Sequence, residues 1–151
     1  MPSQTPTGAW RAPISNVYAF AEQSFIAELA HAAGQDHETF LLNAIGHQGH
    51  IKEDDPASLN TKRAHAVITA ATRAAGWGRE LKEGRGLGLA FFLSHAGHIA
   101  EVAEVSVEGK SITVHDVWVA AHVGQVINQS GLEHQLQGSV IDGLSTLAAQ
   151  S

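Results

Sequence analysis

A chain of 151 residues suits one domain, able to bury about two-thirds of the surface its unfolded form exposes. The net charge of −6, with no Lys/Arg cluster, excludes a nucleic-acid footprint, and the lack of cysteine excludes disulfides, thiolate metal sites and cysteine nucleophiles. Only 16% of residues are charged and 15 are glycine, the balance of a chain that hides surface against a partner.

The opening "MPSQTPTGAW" has neither a basic n-region nor an apolar run, so it does not read as a signal peptide. No apolar stretch approaches the roughly 20 residues needed to span a bilayer. The reading is a soluble chain, with cytoplasm and periplasm both open and no nucleic acid or membrane span among its partners.

The first fifteen residues, rich in Pro, Thr and Ser, are expected to be extended or irregular. A helix follows over about Asn16 to Ala33, with Ser15 or Asn16 as N-cap, Gly34 as the stop, and Tyr18, Phe25, Ile26 and Leu29 on its buried side. A shorter helix starts at Asp36 and runs through Phe40, Leu41 and Ile45 to Gly46. After a loop, Asp55 as cap and Pro56 at the first helical position predict a third helix ending at Gly76.

Past the glycine-rich connection "GWGRELKEGRG", the stretches "LGLAFFLS", "HIAEVAEVSV" and "SITVHDVWVAA" have the composition and length of strands. "VEGKS" reads as a hairpin turn around Gly109. In the second strand Ala103, Val105 and Val107 share one face, with Val102, Glu104 and Ser106 on the other. In the third, Ile112, Val114, Asp116 and Trp118 oppose Thr113, His115, Val117 and Val119. A last helix covers about residues 131–148. The fold class is α+β: N-terminal helices, a three-stranded mainly antiparallel sheet with one face well covered, and a C-terminal helix. The expected domain is single, with a helical part over about 16–76 and sheet plus final helix over about 86–148.

The final helix, "GLEHQLQGSVIDGLS", carries three glycines, each about 1 kcal/mol worse than alanine in a helix interior. At 100° per residue, Leu132, Leu136, Val140, Leu144 and Leu147 form a core-facing band. Gly131, Gln135, Gly138, Asp142 and Ser145 form a second stripe, small or polar, which lets another group approach the backbone beside one long amide. Two readings stand. The glycines admit a neighbouring element and Gln135 is merely solvated, or Gln135 hydrogen-bonds a neutral heterocycle, for which its two donors and two acceptors are suited.

The pairs "HQGH" (His47, His50) and "HAGH" (His95, His98) offer imidazoles at zinc-like spacing. No HExxH motif supports them, one pair lies in a loop and the other at a strand end, and no metal ligand is assigned. "GRGLGLA" precedes a strand rather than opening a helix, so it is not a dinucleotide-binding loop. No serine lies in a G-x-S-x-G context. In "GAWRAP", Arg11 beside Trp10 and held by Pro13 presents one guanidinium, as a surface ion pair or as part of a site.

"GAWRAPISNVYAFAEQSFIAELAHAAGQD", "KRAHAVITAATRAAGWG" and "GRGLGLAFFLSHAGHIAEVAEVSVEGKSITVHDVWVAAHVGQVINQSGLEHQLQGSVIDGLS" occur in that order. Together they resemble the C-terminal half of the molybdopterin-binding large subunit of the xanthine dehydrogenase/aldehyde oxidase family. The nearest resemblance is to isoquinoline 1-oxidoreductase β-subunits and related bacterial aldehyde dehydrogenases. It implies an enzyme that hydroxylates an aldehyde or N-heterocycle with oxygen from water and passes electrons to an iron–sulfur domain or subunit. It also implies a molybdopterin cofactor, the cytosine dinucleotide form among the options.

Carried over by position, the resemblance implies that Gln135 hydrogen-bonds the pterin, that Gly138 lets the cofactor or its supporting loop approach, and that Arg11 lies near the molybdenum site. The chain departs from the family pattern at Ala121, His122 and Gln129, where the family has "D-C-G-x-x-x-N-P", and at Gln137, where it has a glutamate. The family's general-base glutamate lies downstream of the matched region and other pterin-binding glycine loops lie upstream. The resemblance therefore implies no catalytic residue here, and activity only in company with other segments or subunits. The alternative is a non-catalytic binding or oligomerisation module, a truncated descendant that forms a homo-oligomer.

Overall fold

The computed structural model describes Gly8 and residues 11–149. The expectations for residues 1–7, Ala9 and Trp10 fall outside that range. The elements run α1 (Ser15–Ala32), α2 (His37–Ile45), α3 (Thr61–Ala75), β1 (Arg85–Ser94), β2 (Gly97–Glu108), β3 (Ser111–His122) and α4 (Gln129–Ala149). The three strands form one antiparallel sheet in the order β1-β2-β3, so the fold is the expected α+β layout.

The core lies between α3 and one face of the sheet. Ala64, Val67, Ile68, Ala71 and Ala75 of α3 pack with Leu89 and Phe91 of β1, Ala100 and Val102 of β2, and Leu41 of α2. Alanines on α3 meeting Ala100 let helix and sheet approach closely, the kind of fit that gives interiors their crystal-like density. Glu104 closes this face at the far end of β2. Its buried carboxylate accepts from Arg79 Nη2 and, at 2.6 Å, from Arg85 Nη1, and the two guanidiniums hold it below the usual carboxylate range.

The starts of α2 and α3 follow local chemistry. By contrast, α1 begins at Ser15 behind Ile14, with no side-chain cap, so neither Ser15 nor Asn16 serves as the expected N-cap. Asp36 Oδ1 accepts from Thr39 N at 2.9 Å at the start of α2. Gly76 stops α3 in the left-handed conformation, φ 65°, which a residue with a Cβ adopts only with strain. The start of α3 differs from expectation. Asp55 and Pro56 build a turn, with Ala57 N donating to Asp55 Oδ1 at 2.9 Å and Ser58 N to Asp55 O at 2.9 Å. The helix begins at Thr61, capped by Asn60 Oδ1, which accepts from Arg63 N at 3.1 Å.

The buried side of α1 also differs. Tyr18, Phe25 and Leu29 are 57%, 60% and 41% exposed, and the inward stripe is Ser15, Ala19, Gln23, Ile26 and Ala30. Apart from Ile26, which packs against the core, the inward residues are small or polar, and two of them bond the edge strand β1. There Gln23 Oε1 accepts from Phe91 N at 2.9 Å, and the Ser15 and Ser94 hydroxyls share a hydrogen bond of 2.8 Å.

In β2 the buried face is His98, Ala100, Val102 and Glu104, in step with the expected alternation. In β3 it is not. Asp116 pairs with Glu104 but Val114 pairs with Val105, leaving His115 as an extra residue in a bulge. Parity therefore changes there, and Ile112 and Val114 do not share a face with Asp116 and Trp118. The band on α4 is only partly covered: Leu132, Leu136 and Val140 are half-buried, whereas Leu144 and Leu147 are exposed.

Candidate functional site

The last helix starts from Asn128, whose Oδ1 accepts from Gly131 N at 2.9 Å. A Cβ on Gly131 would come within 3.1 Å of that Asn128 side chain, so one of the three glycines serves the cap itself. Gln129, where the resemblance leads one to expect proline, donates from Nε2 to Glu133 Oε1 at 2.9 Å. The α4 start is thus set by an asparagine cap and a side-chain bridge one turn apart.

Gln135 lies one turn further along on the exposed side of the helix. Arg11, 124 residues earlier, reaches it: Nη2 donates to the Gln135 carbonyl oxygen at 3.2 Å and to Gln135 Oε1 at 3.2 Å. A Cβ on Gly138 would stand 3.7 Å from Arg11 Nη1, ordinary contact distance. The guanidinium therefore sits directly over the glycine. Arg11, Gln135 and Gly138, the three residues singled out by the resemblance, form one cluster. Gly143 has nothing within 4 Å of an added Cβ, so its side of the helix is open.

The contact settles which way the amide faces. An arginine side chain only donates, so Gln135 must turn its oxygen to Arg11. Its Nε2 is left with two N–H donors for another group. The cluster thus presents one cation and one donor-rich amide over a smooth stretch of helix, a surface suited to an anionic or carbonyl-bearing ligand.

Beside it, between α4 and the second face of the sheet, runs an open groove of about 450 Å³ lined by Val117, Val119, Glu133, Leu136, Gln137, Val140 and Ile141. On the same sheet face, opposite Val119, is Glu101, whose carboxyl desolvation pushes up. Nothing in the sequence marks Glu101 as distinctive except its place among apolar residues in the middle strand.

The two histidine pairs do not make a joint site. His95 and Ala96 form the two-residue turn between β1 and β2, with φ 50° and 63°, the positive-φ geometry of a primed hairpin turn. His95 is exposed there and His98 is buried. His47 packs tilted against His65 of α3, ring centroids 4.6 Å apart and planes at 58°, while His50 pairs with Asn60 in an isolated bridge. Among the described residues no group of three or more His, Asp or Glu side chains converges to hold a metal. Gly86 and Gly88 of "GRGLGLA" lie within β1.

Two curated relatives resemble the chain. The isoquinoline 1-oxidoreductase β-subunit of Brevundimonas diminuta is 30% identical over 132 residues, covering 83% of this chain. A nicotinate dehydrogenase subunit of Pseudomonas putida is 28% identical over 142 residues, again covering 83% of the chain. The chain spans 15% and 11% of the lengths of these two relatives. The family described as molybdopterin cofactor-binding domain matches residues 15–149, which takes in Gln135 and Gly138 and stops four residues short of Arg11. A match over nearly the whole chain assigns it: the protein belongs to the molybdopterin cofactor-binding domain family.

Proposed function

We propose that the chain is one part of a molybdenum hydroxylase, a single partial domain over residues 1–151. In this reading it supplies one wall of a molybdopterin site and works only with further segments or subunits. The observation that carries the reading is the Arg11–Gln135 contact, which joins two distant segments into a donor-rich surface beside Gly138. Gln135 donates from Nε2 to the pterin, Arg11 fixes that amide and offers positive charge, and Gly138 keeps the helix surface low. When bound, the cofactor supplies the two-electron chemistry that hydroxylates an aldehyde or N-heterocycle with oxygen from water. A cytosine dinucleotide form of the cofactor and a partner carrying iron–sulfur clusters belong to the same proposal.

The chain's own residues bind and orient. None of the three is placed to act as general base, so no catalytic residue is assigned. The test is co-expression with the remainder of a related large subunit, followed by measurement of bound molybdenum and pterin. Both are expected with the unaltered chain and lost on Gln135→Ala. Full cofactor content in that variant would overturn the role of Gln135.

A second reading has an observation of its own. Ile14, just before α1, and Val17, Phe20 and Phe25 within it are each at least 60% exposed, and α4 exposes Ile141 and Leu147. Apolar surface on this scale marks an interaction face, so a non-catalytic binding or self-associating module is the alternative. A purified chain that forms a discrete homo-oligomer, fails to take up cofactor in the co-expression experiment and is indifferent to Gln135→Ala would favour it.

A further inference from the structure

His98 is 1% exposed, among the most enclosed side chains in the fold, and both its ring nitrogens are engaged. Nε2 lies 3.0 Å from the backbone nitrogen of Asn60, which can only donate, and Nδ1 lies 3.2 Å from the carbonyl oxygen of Ala96, which can only accept. The ring is therefore neutral with its proton on Nδ1, an assignment fixed by the partners. Asn60 is the N-cap of α3 and the end of a closed loop. Thr61 N donates to Gly49 O at 2.8 Å, Gly49 N donates to Thr61 Oγ1 at 2.9 Å, and Ile51 N donates to Leu59 O at 3.0 Å.

We propose that His98 is an acid-released pin, a neutral imidazole that fastens the loop of residues 46–60 and the first turn of α3 to the end of the sheet and lets them go on taking up a proton. A proton on Nε2 would aim N–H at N–H across the Asn60 contact. The surroundings make the charged ring still less welcome. Arg63 from α3, His122 from β3 and His50 from the loop all face it, and no carboxylate does among the groups that act on it. His122 pairs with His98 across the strands, ring centroids 6.5 Å apart, and its Nδ1 is enclosed without a hydrogen-bond partner. Desolvation chiefly, with the Arg63 guanidinium acting in the same direction, holds the imidazole below its ordinary value, in keeping with the geometry. The pin shares no residue with the Arg11–Gln135 cluster and does not depend on the cofactor reading.

Amide hydrogen exchange on the intact chain tests it, in steps from about pH 7.5 to about pH 5, corrected for the intrinsic rate. With one proton coupled to opening, peptides covering residues 47–62 should lose protection by about tenfold per pH unit below the ordinary imidazole value, down to the depressed one. Peptides from the middle of β2 should keep theirs. His98→Gln places an amide oxygen where Nε2 stood and does not titrate, so its loop protection should be flat with pH. pH dependence that persists in this variant would assign the effect to His50 or His122 and overturn the proposal. Ring-nitrogen resonances of the unaltered protein give a check that needs no variant, and finding the proton on Nε2 of His98 at neutral pH would also overturn it.

Discussion

On one face of the sheet, α3 lays Ala64, Val67, Ile68 and Ala71 onto Ala100 and Val102, none more than 5% exposed. On the other, α4 leans over Val117 and Val119 across an open groove, and none of its described side chains is buried. Both faces carry the composition of a protein interior, but only one is finished from within this chain. The contrast separates two uses of apolar residues: α3 spends them on stability, while α4 and α1 hold Ile141, Leu147, Phe20 and Phe25 out to the solvent.

The sharpest way to break that contrast is to truncate one residue from each region. Ile68→Ala removes a fully buried side chain from the α3 face and should destabilise the fold by about 2–5 kcal/mol in urea unfolding. Leu147→Ala, at a position 63% exposed, should stay within about 0.5 kcal/mol of the unaltered chain. Equal losses would mean that α4 is packed as tightly as α3 and that the open face is not open.

Acidification acts next, and it too falls on the α3 half. His98 and His37 both have imidazoles held below the ordinary 6.5, in each case chiefly by desolvation. The unfolded chain therefore binds these protons first as pH falls. Their contribution to stability is complete above 6.5 and declines below it until the folded groups titrate. Asp36 adds a second, lower window. Desolvation would raise its carboxyl, but hydrogen bonds from Thr39 and Trp77 outweigh it, so this contribution is lost as pH falls below the ordinary 3.8. Glu101 runs the other way, since a carboxyl pushed up by desolvation favours the folded chain on acidification. Urea midpoints should therefore fall between about pH 7 and about pH 5.5, with less of a fall in His98→Gln. A midpoint that rises over this range would contradict the assignment of His98 and His37 as desolvated imidazoles.

The sequence reports the two regions unequally. Element ends at Gly34, Gly46, Gly76 and Gly109 were legible because each has a positive φ, a demand that glycine meets without strain. The inward side of α1 was not, because its large apolar residues face away from the chain's own core and periodicity cannot say which surface they meet. Asp55-Pro56 serves a turn as well as it serves a helix start, so the α3 boundary was misplaced. The β3 bulge leaves no mark in an alternating pattern and flips Ile112 and Val114 unseen. At the candidate site, helical spacing alone puts Gln135 near Gly138. The approach of Arg11 across 124 residues is a tertiary fact that spacing does not contain: "GAWRAP" offered a guanidinium, and only the resemblance put it near the site.

Capping gives a smaller effect with a local signature. Asn128→Ala removes the acceptor for Gly131 N and should cost about 1 kcal/mol. Because α4 rests on a groove rather than in the core, this should appear as faster amide exchange within residues 129–149, with little change in the global urea midpoint. A full loss in the global midpoint would show α4 to be part of the cooperative core.

The smallest effect is the most informative about the candidate site. Arg11 and Gln135 are both exposed, so water competes for every donor and acceptor in their contact, and the side-chain coupling should be under about 1 kcal/mol. A double-mutant cycle of Arg11→Ala and Gln135→Ala, read by amide exchange at the start of α4, isolates that term from the bond to the Gln135 carbonyl, which survives in the Gln135→Ala protein. Arg11→Ala should therefore speed exchange slightly more than Gln135→Ala does. Should the two substitutions prove strictly additive, Arg11 would not be orienting the amide, and Gln135 would turn its oxygen and its nitrogen outward with equal ease. A measurable coupling instead means that the amide arrives already turned, its donors facing whatever occupies the open side of α4.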